Sequence, residues 1–237
     1  MQTTILLLLA AVLLVGGLGW LLHWLLIRTE GVFLGRRVVV WLYDLAAARY
    51  DAIKQYDPDT ESAFVAWPLS RRLKGRPAPV VLDVATGTGR LPFFLLAEPL
   101  FNGRVIGLDA SAGMLAQARD KLAPFDDHVT LVRGTAGDLP FPDSAFAAVT
   151  CLEALEFLPD DAAALREMVR VLEPGGVLLT TRRQGTEAAY FLGRARRREE
   201  LEALLLALGL MDVRSQPWQV EYELVWAVKG PARVSQT

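Results

Sequence analysis

The sequence predicts an α/β fold: a mostly parallel seven-stranded sheet that ends in an antiparallel hairpin, preceded by an N-terminal transmembrane helix. Three observations carry this expectation. The run VVLDVATGTGR, Val80 to Arg90, reads as a buried strand breaking into a glycine turn. The run RVIGLDAS, Arg104 to Ser111, follows about twenty residues later and ends its strand in a single acid, Asp109. Strand-like apolar runs then alternate with helical patterns, which implies a parallel sheet covered on both faces. A turn and an acid so placed hold a nucleoside, because glycines let the backbone come close and the acid takes the ribose hydroxyls.

The first element is the apolar run Ile5 to Ile27, broken only by glycines and His23. At ~1.5 Å per residue it makes a helix of roughly 34 Å, enough to cross a ~30 Å hydrocarbon core with slight tilt. A cleaved signal peptide, the rival, would want a basic residue before the run and a small-residue cleavage site after it. Met1 to Thr4 carries no basic side chain, and the run ends in Trp24, Leu25, Leu26, Ile27 and Arg28. Arg28, Arg36 and Arg37 follow, and Trp20, Trp24 and Trp41 stand where an interfacial belt would be. Residues 1–28 are therefore expected to be a retained single-pass anchor in the membrane, with the rest of the chain facing the cytoplasm.

Residues 29–78 are expected to form a helical connecting or lid region. Val39, Leu42, Ala46, Tyr50 and Ile53 recur at helical steps, Asp57-Pro58 breaks the pattern, and a second short helix is expected over Glu61 to Leu73. These helices either pack on the sheet edge or form a lid carrying Tyr43, Tyr50 and Asp51. Gly75 to Pro79 is a turn-rich lead into the first strand.

Residues 79–230 are expected to be the ligand-binding domain, and 231–237 a tail. Its strands are expected at Val80–Val84, Arg104–Leu108, Val129–Arg133, Ala147–Cys151 and Gly176–Thr181, with helices at Leu91–Leu96, Ala112–Leu122, Ala162–Leu172 and Arg194–Leu208. Met211–Ser215 and Tyr222–Val228 are joined by a connection too short to cross a sheet, so they must pair antiparallel.

Composition narrows the partners. A formal net charge of −2 gives no global electrostatic reason to expect nucleic acid. Cys151 is the only cysteine, and His23 and His128 are the only histidines, so neither a disulfide nor a metal site is expected. Mean hydropathy is positive, +0.28, with its source in the N-terminal run.

The turn Asp83-Val84-Ala85-Thr86-Gly87-Thr88-Gly89 separates the ligands that a nucleoside fold could take. Three positions after Gly89 stands Pro92, where a nicotinamide fingerprint has a small residue for close helix packing. Asp83, at the end of the first strand, would repel a dinucleotide phosphate. A ligand with a cationic group and no phosphate would accept it, and S-adenosylmethionine is such a ligand.

At Asp83 to Gly89, Asp109, and Gly134-Thr135-Ala136-Gly137-Asp138-Leu139-Pro140-Phe141, the chain resembles a class I S-adenosylmethionine-dependent methyltransferase. The nearest group is the ubiquinone/menaquinone biosynthesis methyltransferase-like one (methyltransferase type 11/25), whose turn tends to read Asp-x-Ala-x-Gly-x-Gly. Arg166 to Gly176 is similar to that group's helix-turn-strand after the fourth strand, and the resemblance spans roughly Tyr43 to Val228. It implies a Rossmann-like class I methyltransferase fold and S-adenosylmethionine as cofactor. It also implies that the backbone of Ala85, Thr86, Gly87 and Gly89 lies under the ribose and methionine part. Asp83 would orient the amino-acid end, and Asp109 would bind both ribose hydroxyls, with Ala110 and Met114 near the adenine. Asp138 and Leu139 would recognise the adenine.

Methyl transfer from a sulfonium is an in-line displacement, so alignment supplies much of the acceleration. A general base matters only when the acceptor carries a proton of high pKa. Glu153, Glu156 and Tyr50 are the candidates, with surface residence open for both glutamates; Cys151 is better placed in the core. No Asn-Pro-Pro-Tyr-like signature appears, which argues against adenine or glutamine as acceptor. Arg182, Arg183, Arg194, Arg196, Arg197 and Arg198 form a basic cluster that either pairs with Glu199, Glu200 and Glu202 or meets anionic head groups. The chain is thus expected to be a membrane-anchored methyltransferase for a small or lipophilic, quinone-, phenol- or lipid-like acceptor. A non-catalytic cofactor-binding or scaffold protein of the same fold, and a nicotinamide oxidoreductase, are the alternatives; Pro92, Asp83 and the expectation of no Tyr-x-x-x-Lys catalytic pair disfavour the second.

Overall fold

The computed structural model describes residues 2–231. Met1 and residues 232–237, nearly all of the expected tail, lie outside them. Seven strands form one sheet in the order β3-β2-β1-β4-β5-β7-β6. They are β1 (Val80–Val84), β2 (Arg104–Asp109), β3 (Val129–Arg133), β4 (Phe146–Cys151), β5 (Leu172–Arg183), β6 (Leu210–Pro217) and β7 (Tyr222–Lys229). The first five run parallel, and β7 pairs antiparallel with both β5 and β6.

Both faces of the central strands are buried, so their sequences are continuous apolar runs. Leu82, Val149, Leu178 and Val225 face one core cluster with Leu165, Met168 and Leu201. Val81, Ala148, Leu179 and Leu224 face the other with Leu69, Leu91 and Leu95. The alternation of adjacent residues between clusters is the period of two of a strand.

Helix α1 (Gln2–His23) continues through a π-turn at Trp24–Arg28. Gln2–Arg28 is long and apolar enough to cross a membrane, and no residue of its most apolar stretch is buried; a signal sequence satisfies the same test. The connecting region holds α2 (Arg36–Ala46), α3 (Tyr50–Lys54), α4 (Pro58–Glu61) and α5 (Trp67–Leu73), with a 3₁₀ turn bending the chain between α2 and α3. Pro58 starts α4 rather than only ending what precedes it, since a proline at the first helical position gives up no intrahelical hydrogen bond. A π-turn over Ser62–Ala66 joins α4 to α5 and absorbs Pro68, which lacks the donor a regular helix needs.

The remaining helices are α6 (Arg90–Ala97), α7 (Ala112–Leu122), α8 (Asp161–Val171) and α9 (Arg198–Ala207). The last is shorter than the expected Arg194–Leu208. Gly193 takes φ +69, and the Arg197 N–H donates to the Glu200 carboxylate at 3.1 Å, a capping box that starts the helix at Arg198. β5 is longer than expected because Leu172 already pairs with Phe146, ahead of an irregularity that spans the glycine turn at Gly175.

Candidate functional site

The carboxyl ends of the parallel strands open on a cleft of about 370 Å³. Its cofactor-type wall comprises Ala85, Gly87, Asp109, Ala110 and Gly134 to Asp138; its other wall is apolar, with Val39, Val40, Tyr43, Leu152, Phe157 and Leu158. α2 supplies the first three of that second wall. It and the following α3 are tied down at several points. Asp44 accepts from the Ser111 hydroxyl (2.5 Å) and the Gly113 N–H (2.9 Å) at the positive end of α7, and the Ser111 bond chiefly holds its carboxyl below the usual range. Asp51 accepts from Thr88 Oγ1 at 2.6 Å and pairs with Lys121 at 2.6 Å.

At the tip of β2, the Asp109 carboxylate accepts the Gly87 N–H and the Ser111 N–H, both at 2.8 Å. Burial pushes its pKa up against those two donors. Two of its lone-pair directions are thereby used, and others remain. Gly87 takes φ +57, and a Cβ there would meet no atom within 4 Å, so the backbone borders open space. Gly89 has a different task. At φ +78, its added Cβ would stand 2.8 Å from Leu122 Cδ1, so this glycine lets the turn pack on α7.

Asp83 lies deeper, 3% exposed, beside a small side pocket shared with Tyr50, Tyr56, Thr86, Gly87 and Glu153. The strand register sets it opposite Thr150, whose hydroxyl donates to it at 2.6 Å, and Thr86 donates at 2.6 Å. Burial nonetheless pushes its pKa up to about 6.

Glu153 links four segments. Its carboxylate accepts from Arg90 (2.8 Å), Lys54 (2.9 Å) and Gln219 (3.3 Å), and its own N–H donates to the Thr181 hydroxyl at 2.6 Å. Burial alone would raise its pKa, but Arg90 and Lys54 hold it down at about 2. Such a carboxylate takes no proton at neutral pH. Glu156 is turned away, buried on Arg183 and the Tyr222 hydroxyl, each at 2.6 Å. Tyr50 borders both the cleft and the side pocket, and burial raises its pKa. Contrary to the expectation of no such pair, Tyr50 and Lys54 have the Tyr-x-x-x-Lys spacing of some reductases, but Lys54 is committed to Glu153.

Residues 81–176 match the methyltransferase domain family. This segment is a methyltransferase domain. The chain is 39% identical over 139 residues to demethylmenaquinone methyltransferase of Symbiobacterium thermophilum, covering 57% of this chain and 55% of that protein. It is 46% identical over 99 residues to the Listeria monocytogenes protein of the same name, 41% of this chain and 42% of that one. The chain thus spans about half the length of the curated relatives it matches. Among solved structures, an S-adenosylmethionine-dependent methyltransferase from Aquifex aeolicus superposes with TM-score 0.58 at 22% identity, over 74% of this chain and 95% of that one. The [4+2]-cyclase SpnF superposes with TM-score 0.66 at 19% identity, over 81% and 95%. At these identities the structural likeness shows the fold.

The cofactor of the methyltransferase domain is S-adenosylmethionine, and the residues present fit it: an acid with free acceptor capacity on Asp109, open space over Gly87, and a buried carboxylate on Asp83. The domain does not bring every expected residue to the cleft. Ala85, Gly87, Asp109, Ala110 and Asp138 line it; Asp83 and Thr86 line the side pocket. Met114 is fully buried, and Leu139, 3% exposed, donates its N–H to Glu167 at 3.0 Å behind the wall. The sequence reading did not place Val39 and Val40 of the α2 wall in the site, although Val39 belonged to the helical pattern that it identified.

The arginine cluster is mostly paired within the chain. Arg182 and Arg198 pair with Glu223, Arg183 with Glu156, and Arg196 with Asp161 at 2.5 Å. Arg197 pairs with Glu200, the one partner expected, and Arg194 donates to the Leu158 carbonyl at 2.9 Å. These contacts use the cations inside the molecule and weigh against their meeting lipid head groups.

Proposed function

We propose that the chain is a membrane-anchored, S-adenosylmethionine-dependent methyltransferase acting on a lipophilic ring acceptor of the quinol class. One observation carries it: the buried Asp109, with its backbone donors, stands across one cleft from an apolar wall of Val39, Val40, Tyr43 and Phe157. The curated relatives, named for a demethylated menaquinone, support the acceptor class. Arg28, Arg36 and Arg37 after the apolar helix support a cytoplasmic site.

When bound, the cofactor supplies an electrophilic methyl group on a sulfonium. The chain supplies alignment and a low-dielectric wall. Asp109 would hold the ribose, Asp83 would face the cationic amino-acid end, and the apolar wall would hold the acceptor ring for alignment with the methyl group. That chemistry would release one proton from the acceptor, which would pass to water. Glu153 takes no part in that proton transfer. Its ion pairs with Lys54 and Arg90 hold α3 and α6 beside the cleft.

The test is calorimetric titration of S-adenosylmethionine into the detergent-solubilised full chain, followed by methyl transfer to a naphthoquinol. Micromolar binding is expected, weakened about tenfold to a hundredfold by Asp109→Ala, as charged hydrogen bonds of ~1.5–3 kcal/mol imply. Absence of binding by folded protein would refute the methyltransferase reading. Binding without turnover on any quinol would favour the non-catalytic alternative.

A further inference from the structure

Helix α2 has two working faces. Arg36, Val39, Val40 and Tyr43 line the cleft. Arg37, Trp41 and Leu45, spaced four residues apart on the outer face, are exposed, Trp41 by 55% and Leu45 by 64%, and Arg49, also exposed, lies in the 3₁₀ turn that follows the helix. Two large apolar side chains on a short helix lose the burial that normally justifies them.

The charges on this helix are also misplaced for a water-facing element. Arg36 and Arg37 sit in the first turn of α2, where the helix dipole is positive, with no acidic residue beside them. Among the described residues, Arg36, Arg37 and Arg49 make no ion pair within 4.0 Å, unlike Arg182, Arg183, Arg196, Arg197 and Arg198. An external anion would satisfy them.

The position of α2 says which anion. It begins at Arg36, eight residues beyond Arg28, where the apolar helix ends. The link between them is fixed. Thr29 and Val32 are buried, Tyr43 donates to Glu30 at 2.7 Å, and a Cβ on Gly31 would stand 2.9 Å from both Leu42 and Val38 of α2. Arg28 itself is held to Glu187 and the Tyr190 hydroxyl. α2 is therefore braced against the foot of the candidate membrane span.

We propose that α2 lies in the head-group layer of an anionic bilayer, with Trp41 and Leu45 reaching the acyl boundary and Arg37, together with Arg49 just beyond the helix, on lipid phosphates. The helix that walls the acceptor end of the cleft is then also the membrane contact. A lipophilic acceptor passes from the bilayer along α2 to the cleft without crossing water. The inference rests on the anchored reading above, and the experiment separates the two.

The full chain is reconstituted in vesicles of phosphatidylcholine and phosphatidylglycerol, with an environment-sensitive fluorophore on Leu13→Cys, Leu45→Cys or Leu206→Cys; native Cys151 is buried. Leu13 reports on α1, and Leu206, on α9 and 56% exposed, is the water-facing control. The expected result is quenching by spin-labelled lipid and shielding from iodide at positions 13 and 45, with the reverse at 206. Position 45 behaving like 206, while 13 is quenched by lipid, would overturn the proposal and leave the anchor standing. Position 13 open to iodide would refute the anchor; quenching at 45 would then still support contact by α2, and its absence would overturn both. As a functional arm, Trp41→Asp with Leu45→Asp is expected to lower turnover of a bilayer-borne quinol by about tenfold or more while sparing a short-chain soluble one, on the scale of burying two such side chains. Equal effects on both acceptors would overturn it.

Discussion

Asp83 and Asp109 end neighbouring strands, yet their carboxylates are used differently. Asp109 accepts two backbone N–H groups and keeps acceptor capacity; Asp83 accepts two threonine hydroxyls and is pushed up to about 6 by burial. Because its folded pKa lies above the unfolded value of 3.8, Asp83 contributes stability that is fully present below 3.8 and lost as pH rises through about 6. A cationic ligand draws it the other way by favouring the ionised form. Cofactor affinity is therefore expected to be about tenfold weaker at pH 5 than at pH 7.5, and Asp83→Asn should flatten that dependence. Calorimetry at the two pH values checks this; equal affinities would refute contact between Asp83 and the cationic end. Both acids stood out in the sequence, since a strand-end acid beside a glycine turn is a local pattern. Their hydrogen-bond partners did not, because Thr150 meets Asp83 only through strand register.

At the scale of elements, Glu153 joins α3, α6, the end of β4 and the β6–β7 hairpin through Lys54, Arg90 and Gln219. Its depressed pKa contributes stability that is present above the unfolded value of 4.5 and lost as pH falls through about 2. Glu153→Gln leaves Arg90, 8% exposed, without its nearest charge partner. The expected loss is about 3–5 kcal/mol in urea unfolding, with a flatter acid limb; a loss under about 1 kcal/mol would show that the pairs are incidental. The strands and most helices were legible element by element, because apolar period and turn residues act over a few positions. The start of α9 was not. Arg194 to Arg197 favour a helix by composition, but Gly193 and the Arg197–Glu200 cap place its start at Arg198.

For the whole molecule, α1 adds apolar surface without adding core. None of its residues is buried, whereas Thr29, Gly31 and Val32 just beyond it are. Deleting residues 2–23 is expected to shift the melting temperature by less than about 2 °C, below the ~2–4 °C that accompanies 1 kcal/mol in a chain of this size. Cofactor affinity should persist while sedimentation with purely zwitterionic phosphatidylcholine vesicles, which offer α2 no anionic head groups, is lost; a truncated chain that fails to fold would mean that α1 packs on the domain. The sequence by itself determined the alternating α/β layout, the glycine turn, the acids at the strand tips and the apolar N-terminal helix. Each of these is written in residues close along the chain, where periodicity and turn stereochemistry act. Only the tertiary structure decided that α2 walls the cleft and that the C-terminal arginines are paired internally. It also decided that Glu153 belongs to Arg90 and Lys54, 63 and 99 residues away. Such pairings depend on which strands become neighbours and in what register, and no local pattern carries that.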